Sequence, residues 1–171
     1  MARILIVGGG CRGRRLAGEL VGEGHVLRVT TRSERRRAAI EACGAESWIA
    51  TPARVGTLRP ALEGVTLACW LLARASGEEG ELRALHGSRL ELFAQQLIDT
   101  TVRGFIYDSS PGVLPCELLA EGRSRVRVVT ERNAIPARVI DCAEAGHAGE
   151  EGWIVAARGA VESLLAGRGG G

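Results

Sequence analysis

The chain contains no lysine: all 22 of its basic side chains are arginines. A guanidinium stays protonated and forms no Schiff base, so mechanisms that need a lysine imine or a tunable lysine acid are excluded. Aromatic residues make up only 4% of the sequence, too few for a platform on which single-stranded nucleic acid would stack. Neither sign of charge dominates. The formal net charge is +2, with arginines and glutamates interspersed, and no nucleic-acid or membrane partner is expected. The five cysteines, Cys11, Cys43, Cys69, Cys116 and Cys142, are odd in number and never spaced Cys-x-x-Cys, so neither a disulfide framework nor a zinc site is expected. No apolar run reaches membrane-spanning length, and residues 1–7 are too few for a signal peptide. A reducing cytoplasm is the expected location.

What is present is a globular pattern. With 171 residues and 46% apolar content, the chain is long enough to bury one core and is expected to form a single domain over residues 1–171. Short β-branched runs at 3–7, 25–30, 46–50, 66–72, 104–108 and 137–141 alternate with segments of helical period. That alternation predicts βαβ units and a three-layer, doubly wound parallel sheet of about six strands. Leu90, Phe93, Ala94, Leu97 and Ile98 form one apolar stripe, and Ile154, Ala157, Val161, Leu164 and Leu165 form another. With so short a C-terminal region to cover them, both stripes predict self-association as a homodimer.

The first strand runs directly into Gly8-Gly9-Gly10-Cys11-Arg12-Gly13, a G-x-G-x-x-G that opens a helix carrying Leu16, Ala17, Leu20 and Val21. In this context each glycine has its own use, with Gly8 making the tight turn, Gly10 allowing close approach of a pyrophosphate, and Gly13 letting the helix pack on the strand. The free N–H groups of the helix start, from Cys11 onward, meet the anion. A Rossmann fold binding a dinucleotide is the expected class. Where an NAD enzyme places an acid for the ribose hydroxyls, this chain ends its second strand with Thr30, Thr31 and Arg32. A guanidinium there suits a 2′-phosphate, so NADP(H) is expected in preference to NAD, with Arg32 and Arg12 as contacts. Arg35, Arg36 and Arg37 read as a solvated face shared with Glu34 and Glu41.

These residues give the chain a resemblance to the atypical short-chain dehydrogenase/reductases of the epimerase/dehydratase type, over about the first 140 residues. Further marks are Ala61-Leu62-Glu63-Gly64-Val65, Phe105-Ile106-Tyr107-Asp108-Ser109-Ser110 and Asn133-Ala134-Ile135-Pro136-Ala137. The resemblance implies that Leu72, Ala73 and Ser109 border the nicotinamide and that Ser109 or Ser110 matches the catalytic serine. It also exposes a departure. The family's active members use a Tyr-x-x-x-Lys pair; this chain has no lysine, and its one tyrosine, Tyr107, lies on a strand. The stretch between Asp141 and the closing helix is also too short for the substrate-binding part of full-length relatives.

Among the histidines, His25 reads as structural, and His86 lies on a predicted helix with no partner in spacing. His147 follows the sixth strand near Asp141, Cys142 and Glu144, at the sheet end where ligands bind in such folds. It is a candidate proton donor beside Ser109. Cys11 at a helix start is either an oxidisable thiol or a packing contact of the cofactor. Trp48, Trp70 and Trp153 read as core, with Trp70 close enough to a strand end to flank a ring. Two functions follow: a reductase passing hydride from NADPH to a small carbonyl or C=N substrate, or a catalytically inactive dinucleotide-binding sensor or interaction protein.

Overall fold

Alternating side chains of the strands feed two different cores, one on each face of a sheet. The computed structural model describes residues 1–141 and 149–167. Its strands are β1 (Arg3–Val7), β2 (Val26–Thr31), β3 (Glu46–Ile49), β4 (Leu67–Trp70), β5 (Gly104–Asp108) and β6 (Ala137–Ile140). Its helices are α1 (Cys11–Gly22), α2 (Arg37–Glu41), α3 (Glu79–Leu85), α4 (Ser88–Gln96), α5 (Cys116–Arg132) and α6 (Gly149–Ala166). On β1, Ile4 and Ile6 join Leu16 and Leu20 of α1 and Trp153, Ala157 and Val161 of α6. Leu5 and Val7 point the other way, into a core with Phe93 of α4, Leu97 at its C-cap and Val126 of α5. The period of two in the strands and the apolar stripes of the helices thus make helix, sheet and helix layers.

The six strands lie in the order β3-β2-β1-β4-β5-β6, and every pairing is parallel. The order reverses between β1 and β4, whose registers run from Ile4 opposite Leu67 to Val7 opposite Trp70. In open α/β sheets the crevice at such a reversal, beyond the carboxyl ends of the strands, is where ligands bind.

The expected strands 3–7 and 104–108 coincide with β1 and β5, and the other four agree apart from their ends. In the run at 66–72 the strand ends at Trp70; the Leu71 amide makes a last hydrogen bond to the Val7 carbonyl, and the Leu72 carbonyl then turns to accept from a ring nitrogen of His86. The helix expected around His86 is α3, which ends at Leu85 with His86 as its C-cap; its Leu82 and Leu85 are partly buried against the cores. His25 is structural, its Nδ1 accepting from the Ala2 amide at 3.2 Å.

The two stripes that suggested a homodimer are largely buried within the chain, although Ile98 at the end of the first stays exposed and Leu165 at the end of the second is only partly buried. Leu90, Phe93, Ala94 and Leu97 are buried on one face of the sheet, and Ile154, Ala157, Val161 and Leu164 on the other. α6 itself packs on β5, β6 and α1. No helix among the described residues is long and apolar enough to cross a membrane.

Candidate functional site

The glycine loop leaves β1 through Gly8, whose φ of +125° is a conformation that side-chain-bearing residues rarely adopt. A Cβ on Gly8 would also sit 2.5 Å from the carbonyl oxygen of Leu71, just beyond β4. A Cβ on Gly9 would meet the Thr30 carbonyl oxygen at 2.6 Å, and one on Gly13 would meet the Gly8 carbonyl oxygen at 1.9 Å. Gly10 differs from all three: nothing lies within 4 Å of where its Cβ would be. The loop is therefore pressed against β4, β2 and its own turn at Gly8, Gly9 and Gly13, and faces open space at Gly10. Gly10 is also the N-cap of α1, with no side-chain cap and no acidic residue in the first turn, so the first N–H groups point out unpaired by side chains. Cys11 opens the helix and is exposed.

At the end of β2, Thr31 is buried and its Oγ1 accepts from the Ser33 amide at 3.1 Å. The next residue, Arg32, is exposed and its guanidinium pairs with no described residue. Arg37, by contrast, is paired with Glu34 at 2.9 Å, as a solvated helix face would be.

Arg12 goes elsewhere than expected. Its Nη1 donates to Ser110 Oγ at 2.8 Å, its Nε and Nη2 donate to the Glu150 carboxylate at 3.1 Å, and its guanidinium carbon lies 5.0 Å over the Trp153 ring. Ser110 follows β5, which lies on the β4 side of β1, whereas Arg32 follows β2 on the other side. The guanidinium of Arg12 is thus turned away from the ribose corner assigned to it from sequence, because an acid 138 residues along the chain holds it across the crevice. Arg74, following β4, pairs with the same carboxylate at 2.8 Å. The Arg12 hydrogen bond, followed by the charges of Arg12, Arg74 and Arg15, holds the Glu150 carboxyl below its ordinary range despite some desolvation.

Hydroxyls beyond β5 are engaged as well. Ser109 is buried; its Oγ lies 3.4 Å from the Ile140 carbonyl and accepts from Arg123 at 3.2 Å, which turns it toward β6 and α5. Asp108 is buried and accepts from the Ser110 amide at 3.0 Å and from the Trp153 indole at 3.2 Å. Burial pushes its carboxyl pKa up, against those hydrogen bonds and the charge of Arg12. Leu72 is half-buried and lies beside the glycine loop, its side chain 3.4 Å from the Cβ position of Gly8. Ala73 is buried against Leu114, Leu118 and Leu119. Trp70 is occupied in the core, its ring tilted against Phe93 at 5.0 Å and its indole N–H on the Leu85 carbonyl. His147 and its neighbours Cys142 and Glu144 lie outside the described residues.

One polar pair was missed from sequence altogether. His86, read as lacking a partner, is fully buried, with Nδ1 2.6 Å from the Tyr107 hydroxyl and Nε2 3.1 Å from the Leu72 carbonyl. A carbonyl can only accept, so Nε2 carries the proton and Tyr107 donates to Nδ1. The one signal available was Gly122 in the middle of α5, where a Cβ would fall 2.0 Å from the Tyr107 oxygen.

No protein-family model matches the chain, and no curated protein matches it in sequence. Solved structures match its fold. Vestitone reductase from alfalfa superposes with a TM-score of 0.67 at 15% identity, over 81% of this chain and 56% of that one. UDP-glucose 4-epimerase from Thermotoga maritima, solved with UDP-glucose, gives 0.67 at 14% identity over 80% and 54%. A short-chain dehydrogenase/reductase superfamily protein from Agrobacterium tumefaciens, solved with bound NAD, gives 0.65 at 19% over 80% and 48%. The likeness is one of fold: the chain shares the Rossmann-type α/β architecture of these proteins. It spans about half the length of the proteins it matches.

Proposed function

We propose that the chain binds NADP(H) at the carboxyl ends of β1 and β2 and does so as a binding or sensing domain rather than as an ordinary reductase. The observation that carries the reading is the contrast within the glycine loop: three glycines are closed against protein and Gly10 alone is open. That is the arrangement a backbone needs in order to meet a pyrophosphate at the start of α1. Two structures of this fold, the Agrobacterium protein and the Bacillus cereus UDP-glucuronic acid 4-epimerase, carry NAD, which supports a nicotinamide dinucleotide as the ligand class. The unpaired guanidinium of Arg32 supports the 2′-phosphorylated form.

In this reading Gly8, Gly10, Cys11 and Gly13 present the loop, Thr31 and Arg32 hold the adenosine end, and Leu72 and Ala73 border the nicotinamide. The bound cofactor would supply a hydride. On the protein side, the Ser109 and Tyr107 hydroxyls are buried and committed to other partners, which favours the non-catalytic reading over reduction of a small carbonyl or C=N substrate with Ser109 or His147 as donor. Calorimetric titration of the wild type, Arg32→Ala and Gly10→Val with NADPH and NADH tests the reading. Wild type is expected to prefer NADPH about ten- to hundredfold, from one charge-assisted contact. Arg32→Ala removes that preference and Gly10→Val removes binding. Equal affinities in the wild type sink the phosphate assignment, and no binding of either nucleotide sinks the dinucleotide reading.

A further inference from the structure

The crevice between β1 and β4 is bridged by one carboxylate. Glu150, on the first turn of α6, takes Arg12 from the β1 side and Arg74 from the β4 side, with Oε1 2.8 Å from Arg74 Nη1 and 3.1 Å from Arg12 Nη2. The two arginines differ in how firmly they are held. The Arg12 side chain is only 11% exposed and has two partners besides Glu150, the Ser110 hydroxyl and the face of Trp153. Trp153 is itself fixed by its hydrogen bond to buried Asp108. Glu150 is 47% exposed and Arg74 49%, so the carboxylate can leave into water at small cost and Arg74 can follow a new anion. When it leaves, a largely buried guanidinium remains in place with one face lacking an anion, which is the condition under which an arginine takes a phosphate.

We propose that Arg12 and Arg74 form a clamp for the diphosphate of the incoming dinucleotide, held shut in the free protein by the Glu150 carboxylate, which the ligand displaces. The inference rests on the dinucleotide reading and adds to it. It turns Arg12 from a contact of the adenosine phosphate into one of the diphosphate, and it makes binding a competition between two anions. The backbone of Gly10 and the clamp then approach the diphosphate from different directions, the first by N–H groups and the second by charge.

Titration of the wild type, Glu150→Gln and the double variant Glu150→Gln/Arg74→Ala with inorganic pyrophosphate and with NADPH decides it. Glutamine keeps the size of the side chain and removes its charge at an exposed position. Pyrophosphate and NADPH are expected to bind Glu150→Gln about five- to tenfold more tightly than wild type, as fits the loss of a competitor from two partly exposed ion pairs. The double variant is expected to lose that gain. Should Glu150→Gln bind pyrophosphate no more tightly than wild type, the clamp is overturned, whatever NADPH does. If pyrophosphate shows the gain while neither protein binds NADPH or NADH, the clamp stands and the dinucleotide reading falls. If wild type binds NADPH and Glu150→Gln matches it with both probes, the reverse holds.

Discussion

The two ends of the crevice are built oppositely. Beyond β1 and β2 the chain leaves groups unspent: Gly10 faces open space and Arg32 has no partner among the described residues. Beyond β4 and β5 nearly every polar group is spent on another. Ser109 is taken by Arg123, Ser110 and Glu150 by Arg12, Asp108 by Trp153, and Tyr107 by His86. An unpaired donor at the surface is free to meet a ligand, whereas a buried hydroxyl with satisfied hydrogen bonds must break them first, at a cost of about 1–3 kcal/mol for each group left unpaired. On the proposed reading, the fold keeps the dinucleotide-binding end of the crevice available and ties the other end into its own packing.

The sharpest way to break that comparison is to look for turnover. With no Tyr-x-x-x-Lys pair and with Ser109 turned toward Ile140, NADPH oxidation by aldehydes, ketones and quinones is expected to run about 10²–10⁴-fold below an ordinary reductase, the usual worth of a general acid. Rapid multiple turnover that Ser109→Ala or His147→Ala abolishes would show that other end to be active after all.

Next in size is a comparison inside the glycine loop. Alanine at Gly13 would drive a Cβ into the Gly8 carbonyl, which as backbone beside a central strand cannot rotate aside, so a loss of about 3 kcal/mol or more is expected. For a chain of this size that lowers the thermal midpoint by about 6–12 °C. Gly10→Ala meets nothing and, apart from a cost of up to about 1 kcal/mol for alanine at the α1 N-cap, is expected to leave the fold intact while weakening NADPH. If both variants melt alike, Gly10 is structural and the division of labour in the loop is wrong.

The same division separates what could be read from the sequence from what could not. β1, α1 and β2 were legible because their signals are local: β-branched runs, a glycine pattern at fixed spacing, and turn residues between them. Arg12 was legible as a charge at a helix start, yet its direction depends on Glu150, 138 residues away, and no periodicity encodes such a pairing. His86 and Tyr107 failed for a related reason. Each sits on its own element, and only the packing of α5 through Gly122 brings them within 2.6 Å. The apolar stripes of α4 and α6 were legible as stripes, while the surface that covers each was not, since a helix pattern shows what is buried and is silent on whether the cover comes from the same chain.

A smaller effect tests the locked half directly. Replacing Tyr107 by Phe deletes the hydroxyl that donates to His86 Nδ1 and leaves a buried acceptor unpaired, for an expected loss of about 1–3 kcal/mol in denaturant unfolding. A loss below about 0.5 kcal/mol, the low end for a hydrogen bond, would mean that the pair contributes little to holding β5 against the β4 end.

The smallest effect is in the pH dependence of stability, and its sign follows from His86. Burial lowers the His86 pKa from its ordinary 6.5, outweighing the hydrogen bond to the Leu72 carbonyl that raises it. The folded state therefore favours the neutral ring, while the unfolded chain titrates near 6.5. Above that pH neither state holds the extra proton and the contribution of the pair is fully present. As pH falls below 6.5 the unfolded chain takes up a proton that the folded state refuses, so stability is lost, at up to about 1.4 kcal/mol per pH unit, until the folded pKa is passed. Asp108 acts in the opposite sense: its pKa is raised from 3.8, so the folded state holds a proton longer than the unfolded one and its contribution weakens as pH rises above that value. Both act on the acid side of neutrality in opposite senses, so the wild-type curve alone does not isolate the histidine. His86→Gln does, because Asp108 is common to both proteins and cancels in the difference. Urea unfolding of both proteins at intervals from about pH 8 to about pH 4.5 is expected to show a wild-type minus variant stability difference that is flat above about pH 6.5 and shrinks below it. A difference that stays constant down to the lowest pH would mean that His86 titrates alike in both states, and so that the buried neutral pair with Tyr107 does not exist in solution.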